Sequence, residues 1–285
     1  MNLSGLTNYE EVKNALSCLY YQPFIISDDI QTGAAYSWAY SDDPRTKPSL
    51  VFNRNEYSEL EWSRINDSNQ RLRSMYDDLL DEVASRFPGG TLFDVACNNG
   101  YFPVGAELRG LRGTGMDMND YSRSFNCLNS ALGTKAIFLN LIYDSEKHEL
   151  PIKDQFDVVV ASAIMCHLPD PLNFLAAIGK IARRGILFWG QVIDTEQLII
   201  SYKQPHSELS RLTDFPHCFN DNTRISRGMF KESMKLMGFN SVIEIEPRNT
   251  WLPQYLPYSF DLNPPKTLVR ELETGSKHVA FLALR

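Results

Sequence analysis

An apolar run that ends in an acidic residue and a tight polar turn is the feature that most restricts the fold of this chain. The run is Leu92-Phe93-Asp94-Val95-Ala96, and the turn Cys97-Asn98-Asn99-Gly100 follows it directly. A parallel strand ends in this way where a ligand binds, because backbone N–H groups of the following helical turn can approach the ligand closely. The pattern predicts an α/β protein with a nucleotide-like ligand at the carboxyl edge of its sheet.

A second carboxylate stands at the end of the next predicted strand. The stretch Gly113-Thr114-Gly115-Met116-Asp117-Met118 places Asp117 23 residues after Asp94. An acidic residue at about this distance typically binds a ribose, because a carboxylate can accept a hydrogen bond from each of two neighbouring hydroxyls. The alternative is an aspartate that caps a helix or faces solvent. We expect Asp117 to bind a ribose.

The rest of the chain alternates predicted strands and helices. This alternation predicts a doubly wound α/β sheet and no internal repeats. The predicted strands lie near residues 92–96, 114–118, 136–139, 156–161, 185–190, 241–245 and 277–284, and the predicted helices near residues 9–21, 60–87, 171–182 and 229–237.

Charge and cysteine usage restrict the partners and the compartment. The net charge is −7, and no basic cluster is longer than Arg183-Arg184, so a nucleic-acid partner is disfavoured. The five cysteines are scattered and form no Cys-x-x-Cys pair, which indicates free thiols in a reducing compartment. We see no basic, apolar leader and no run of eighteen apolar residues. These observations predict a cytoplasmic protein without a membrane partner.

Three motifs in this order resemble those of the class I S-adenosylmethionine-dependent methyltransferases. They are the turn from Asp94 to Phe102, then Asp117, and then the stretch from Phe156 to Pro171 that contains His167. The resemblance covers roughly Gly89 to Arg285. It implies a Rossmann-like sheet of seven strands, mostly parallel with an antiparallel last strand, and helices on both faces. It also implies S-adenosylmethionine as the cofactor.

The turn departs from the glycine-rich pattern of the family at two positions. Ala96 and Asn98 stand where glycine is usual. Alanine still permits a close approach, and asparagine tolerates positive φ, so the turn can form. This version of the turn is similar to that of a branch with tRNA uridine carboxymethyltransferases and small-molecule and sugar O-methyltransferases. A nicotinamide site is disfavoured, because its fingerprint has three glycines where this turn has one.

The resemblance also implies which residues hold the cofactor. Asp94 would anchor the turn and the methionine end of the cofactor. Asn140 stands where relatives often have an aspartate on the adenine amino group. The full predicted set is Asp94, Ala96, Cys97, Asn98, Gly100, Tyr101, Phe102, Asp117, Met118, Asn140, Leu141, Ala161 and Ser162.

His167 is the candidate catalytic residue, because histidine can take a proton near neutral pH. Many family members carry this histidine without using it as a base, so a role in shaping the turn is the alternative. Asp194, His206 and His217 are further candidates for the base. The magnesium-dependent branch has an aspartate at the end of the fourth strand, where this chain has Ala161-Ser162. We therefore predict no catalytic metal.

Aromatic segments outside the common fold are the candidates for an acceptor pocket. We predict a helical and lid segment over residues 1–56 and a methyltransferase domain over residues 57–285, with insertions at 191–226 and 246–276. Long aromatic loops in a compact domain are usually functional, and aromatic faces give a large contact area at small entropic cost. The predicted substrate-binding residues are Tyr36, Trp38, His206, His217 and Trp251.

The function predicted from these observations is methyl transfer from S-adenosylmethionine to a small molecule. Oxygen is the expected target atom, ahead of nitrogen or carbon, on a sugar or a secondary metabolite. One alternative is a tRNA-modifying methyl- or carboxymethyltransferase, which the acidic charge disfavours. Another is a catalytically silent binding protein that kept the fold. The sequence identifies neither the acceptor nor the oligomeric state.

Overall fold

A computed structural model gives the fold of six stretches of the chain. The described residues are 9–16, 22–33, 51–168, 170–202, 223–246 and 276–285.

Six α-helices lie in the described part of the chain. The longest begins with a capping box, in which the Ser58 hydroxyl accepts from the Glu61 N–H and the Glu61 carboxylate accepts from the Ser58 N–H; this pairing satisfies two otherwise free donors. The helices are α1 (Tyr9–Ala15), α2 (Glu59–Arg86), α3 (Tyr101–Glu107), α4 (Ser122–Leu132), α5 (Pro171–Ile181) and α6 (Arg227–Leu236).

Seven of the eleven described strands form one sheet in the order β10-β11-β7-β6-β3-β4-β5. Strands β3 to β7 are parallel, and β11 is antiparallel to both β7 and β10. The predicted seven-stranded sheet with an antiparallel last strand is thus confirmed. The strands are β1 (Ile30–Thr32), β2 (Val51–Asn53), β3 (Thr91–Val95), β4 (Arg112–Asp117), β5 (Ile137–Asn140), β6 (Phe156–Ser162), β7 (Ala182–Ile193), β8 (Ile200–Tyr202), β9 (Thr223–Ile225), β10 (Ser241–Glu244) and β11 (Ser276–Leu284).

Alternate side chains of the sheet pack against helices on its two faces. One face carries Leu92, Val160 and Leu187 and is covered by α1 to α4. The other carries Val159 and Phe281 and is covered by α5 and α6. Parallel strands need cover on both faces, because crossover helices return on either side of the sheet. The core therefore holds the carboxyl ends of β3, β4 and β6 in fixed positions.

Two small two-stranded sheets lie outside the seven-stranded sheet. β1 pairs antiparallel with β2, and β8 pairs antiparallel with β9 inside the insertion at 191–226. The segment from Gln22 to Gly33, which contains β1, packs through Phe24 and Ile26 on the face covered by α2. The amino-terminal segment is thus part of the packed structure where it is described. None of the described helices is long and apolar enough to cross a membrane.

Candidate active site

A cavity of about 640 Å³ opens at the carboxyl ends of the parallel strands. β3 pairs with β4 on one side and with β6 on the other, so the order of the strands reverses at β3. Open α/β sheets bind their ligands at such a switch point, and the volume is in the range of small-molecule sites. The walls come from β3, β4, β6 and β7, from the loops after β3 to β6, from α2, α3 and α5, and from Gln22.

Three residues of the turn after β3 have a positive φ, and the sequence has residues there that permit it. Ala96 has a φ of 61°, Asn98 of 51° and Gly100 of 91°. At Gly100 a Cβ atom would lie 2.4 Å from Cζ of Phe125, so packing as well as φ requires glycine there. Gly115 of β4 is also needed, because its Cβ would lie 2.6 Å from Sγ of Cys97. The turn therefore lies close against β4 and α4.

Asp117 connects the loops after β3 and β4. Its Oδ2 accepts a hydrogen bond of 2.9 Å from the Asn98 N–H, and its Oδ1 accepts one of 3.0 Å from the Asn119 N–H. The side chain lines the cavity, and burial raises the pKa of its carboxyl. Asp117 thus bonds the turn directly, a role that the sequence interpretation had given to Asp94.

Asp94 is a buried carboxylate, and no cation in the described part of the chain compensates its charge. Asp94 is 2% exposed, and its Oδ1 is buried with no hydrogen-bond partner among the described residues. Burial, and then the charge of nearby Asp117, raises the pKa of the Asp94 carboxyl well above its ordinary value. An unpaired buried acceptor lowers the stability of the fold, so a hydrogen-bond donor of a ligand would stabilise this site. The described lining residues include no lysine or arginine.

These residues fit S-adenosylmethionine, whose chemistry the sequence predicted for this edge of the sheet. A ribose offers two hydroxyls for a carboxylate at Asp117. A sulfonium and an ammonium group supply positive charge to a cavity with two carboxylates. The orphaned Oδ1 of Asp94 and the close backbone of the turn are the structural observations behind this fit.

Most of the predicted cofactor residues lie together at the cavity. Besides Asp94 and Asp117, the lining includes Ala96, Cys97, Asn98, Tyr101, Phe102, Met118, Leu141 and Ser162, and the candidate base His167. Cys97 lies there as an inert thiol, because burial raises its pKa well above the ordinary value. These predicted residues thus line one continuous cavity that extends from the turn after β3 to the loop after β6.

Three predicted cofactor residues do not line the cavity. Gly100 lies against Phe125 behind the turn. Ala161 is fully buried in the core on the α5 side of the sheet. Asn140 donates through Nδ2 to the carbonyls of Asp117 and Met118, at 3.1 Å each. In this structure these residues support the lining rather than form it.

The other predicted catalytic and substrate-binding residues fall into two groups. Asp194 is paired with Arg227 at 2.8 Å and does not line the cavity. The remaining predicted residues, Tyr36, Trp38, His206, His217 and Trp251, lie outside the described residues.

No group of three or more potential metal ligands occurs within the described stretches.

Sequence reasoning missed several residues that line the cavity, and three of them lie outside the predicted motifs. Gln22 reaches it from the amino-terminal segment, Tyr76 from α2 and Trp189 from β7. Trp189 pairs in register with Ser162, and its buried Nε1 has no hydrogen-bond partner. The helical periodicity of α2 predicted only that its apolar side chains face the core, and no pattern in the sequence distinguished Gln22.

Comparison with known proteins supports the same family. The family described as a methyltransferase domain matches residues 68–244. The ubiquinone biosynthesis O-methyltransferase of Pseudomonas putida (strain GB-1) is 29% identical over 107 residues, which are 37% of this chain and 45% of that protein. The chain thus spans less than half the length of that curated relative.

Two solved structures are similar to this chain at low sequence identity. Magnesium protoporphyrin IX methyltransferase from Synechocystis PCC 6803, with bound S-adenosylhomocysteine, is 11% identical with a TM-score of 0.47, and 81% of this chain and 97% of that chain are covered. The 1,6-didemethyltoxoflavin-N1-methyltransferase of Burkholderia thailandensis is 14% identical with a TM-score of 0.44, over 93% and 99% of the two chains.

The family match covers more than half of the chain, and it includes the turn after β3, Asp117 and the loop after β6. The observed strand order is the one that the resemblance implied. The chain belongs to the methyltransferase-domain family, and it is a member of the class I S-adenosylmethionine-dependent methyltransferases.

Proposed function

We propose that the protein transfers a methyl group from S-adenosylmethionine to an oxygen atom of a small molecule, such as a sugar or a secondary metabolite. The observation that carries this proposal is the cavity at the switch point, with Asp94 and Asp117 in its wall. The relatives named ubiquinone biosynthesis O-methyltransferase support a small-molecule oxygen acceptor.

Each part of the cavity has a proposed task. The bound cofactor supplies an electrophilic methyl group. Asp117 holds the ribose, while the side chains of Tyr76, Phe174 and Trp189 exclude water. His167 lines the same cavity, and a ring nitrogen of His167 takes the proton of the acceptor hydroxyl. The protein's main contribution is thus to orient the two reactants.

The proposed setting is the cytoplasm, with no nucleic-acid partner. The cysteines of the described part, Cys97, Cys127 and Cys166, are free thiols, which agrees with a reducing compartment. The net charge of −7 disfavours a phosphate backbone as substrate.

Titration calorimetry with S-adenosylhomocysteine tests the cofactor site. Asp117→Asn removes the charge and one acceptor, so it should weaken binding by about 1–3 kcal/mol, the scale of hydrogen bonds to a charged group. The matched control is Asp120→Asn, at an aspartate that caps Ser122 at the protein surface, and it should bind as the wild type does. Equal affinities for Asp117→Asn and wild type would contradict the ribose assignment.

The same proteins test the base once mass spectrometry has identified a methylated product from a small-molecule panel. His167→Ala should lower turnover by roughly a hundredfold and leave the affinity for S-adenosylhomocysteine nearly unchanged. Lost cofactor binding would instead favour a structural role for His167. Binding of S-adenosylhomocysteine without turnover on any acceptor would favour the silent binding protein.

A further inference from the structure

Gln22 is the one residue of the segment 22–33 that lines the cavity, and it lies before the part of the chain that matches the family. Its Nε2 donates a hydrogen bond of 3.1 Å to the Cys97 carbonyl. A carbonyl oxygen can only accept, so this contact fixes which end of the amide faces the turn. The Oε1 atom is then directed elsewhere, and it is buried without a hydrogen-bond partner in the described stretches.

The position of Gln22 relative to Asp117 shows which part of a ligand it can meet. Gln22 bonds the carbonyl of Cys97, and Asp117 bonds the N–H of the next residue, Asn98. Asp94 is close enough to Asp117 for the two charges to interact. A cofactor whose ribose is held by Asp117 therefore places the chain attached to that ribose near Asp94 and Gln22.

The two orphaned atoms have the same chemistry. Oδ1 of Asp94 and Oε1 of Gln22 are both acceptors, and both are buried. An ammonium group carries three donors and a positive charge, so it can satisfy both atoms at once. An acceptor hydroxyl has a single donor and can satisfy only one of them. These two unpaired acceptors thus match an amino group.

We propose that Gln22, together with Asp94, binds the ammonium group at the amino-acid end of the cofactor. The amino-terminal segment is then a part of the cofactor site, which the family-matched region leaves incomplete. This inference rests on the proposed cofactor site, because Asp117 must hold the ribose for Gln22 to reach the amino group.

The test compares two ligands that differ in this end. S-adenosylhomocysteine has the amino-acid group, and 5′-methylthioadenosine keeps the adenosine and the sulfur without it. Gln22→Met retains the length of the side chain but removes both hydrogen-bonding atoms. By calorimetry, its affinity for S-adenosylhomocysteine should fall by roughly tenfold, as expected for a lost hydrogen bond to a charged group. Its affinity for 5′-methylthioadenosine should stay within about twofold of wild type.

Two further variants separate ligand binding from support of the turn. Gln22→Lys keeps a donor for the Cys97 carbonyl and brings a like charge to the amino group, so S-adenosylhomocysteine binding should fall further than in Gln22→Met. Ile25→Thr changes a side chain that is 52% exposed on the same segment, and it should alter neither affinity.

The outcomes are distinct. Equal losses for both ligands in Gln22→Met would reduce Gln22 to a support of the turn, and unchanged affinities would assign its Oε1 to something other than the cofactor. Either result overturns the inference and leaves the proposed function intact. A wild-type protein that binds neither ligand would overturn the cofactor site itself.

Discussion

Asp94 occupies an environment that opposes its charge. The carboxylate is buried, lies near Asp117, and has one oxygen without a partner. Burial, and then the charge of Asp117, raises the pKa of the Asp94 carboxyl well above its ordinary value. When a carboxyl has a higher pKa in the folded than in the unfolded state, its contribution to the free energy of unfolding is fully present only below the unfolded pKa. This contribution is lost as the pH rises through the folded pKa. The ligand-free protein therefore loses stability at Asp94 as the pH increases.

Asp94→Asn should relieve this cost, because asparagine has nearly the same shape and no charge. We expect the ligand-free variant to melt above wild type at neutral pH, with a difference that widens as the pH rises from about 4. Thermal unfolding monitored by circular dichroism across a pH series measures this difference. The same variant should bind S-adenosylhomocysteine more weakly.

The control for Asp94→Asn is Asp144→Asn. Asp144 is a partly exposed aspartate whose pKa is lowered, first by a hydrogen bond from the Lys147 backbone. A lowered pKa favours folding at higher pH, so this variant should be no more stable than wild type at neutral pH. An Asp94→Asn protein that melts below wild type at neutral pH would show that its charge is compensated.

At the scale of elements, the turn between β3 and α3 depends on the space that Gly100 leaves for α4. Gly100→Ala adds a side chain at positive φ and a clash with Phe125. Backbone strain costs about 1–2 kcal/mol, and overpacking typically costs about 1–3 kcal/mol more. We expect the free energy of unfolding in urea to fall by the sum of the two.

Gly133 provides the matched control, because it also has a positive φ, of 68°, but a Cβ atom there would meet nothing within 4 Å. Gly133→Ala should therefore cost only the backbone part. The second substitution in Gly100→Ala/Phe125→Leu should recover stability, because it removes the clashing ring atoms. If Gly100→Ala and Gly133→Ala cost the same, the clash with Phe125 is not what requires glycine.

Elements with a clear apolar run were predictable from the sequence, and those set by tertiary contacts were not. The seven strands of the large sheet were placed correctly, although β7 begins three residues before the predicted Gly185, where Arg183 and Arg184 obscure the pattern. The small sheet of β1 and β2 was missed, since its three-residue strands are too short to show a period.

The residues of the site were likewise predictable only where the sequence pattern marks them. The motif located Asp117 and the turn after β3, because strand ends are visible in the sequence. It could not give the direction of a side chain, so Gly100, Asn140 and Ala161 were assigned to the cofactor although none lines the cavity. Gln22 is 72 residues before Asp94, and only folding brings the two to one cavity.

For the whole molecule, ligand binding should affect the two ends of the sheet differently. A ligand that binds only the native state suppresses the opening of the segments that it contacts. With saturating S-adenosylhomocysteine, hydrogen exchange should slow at residues 22–33, 96–100 and 118–121. The turns at Gly89 and Gly110, which precede β3 and β4 at the opposite end, should keep their rates. Slower exchange confined to those two turns would place the ligand at the wrong end of the sheet.

The acidic wall of the cavity bears on turnover as well as on binding. The cofactor is a sulfonium cation before methyl transfer, and its sulfur is a neutral thioether afterwards. Asp94 and Asp117 line the cavity, and its described lining has no lysine or arginine. Since charges interact more strongly away from bulk water, these carboxylates attract the cation more than the neutral product of nearly the same shape. Under the proposed function, these two side chains therefore hold the reactant more tightly than the spent cofactor and favour release of the latter.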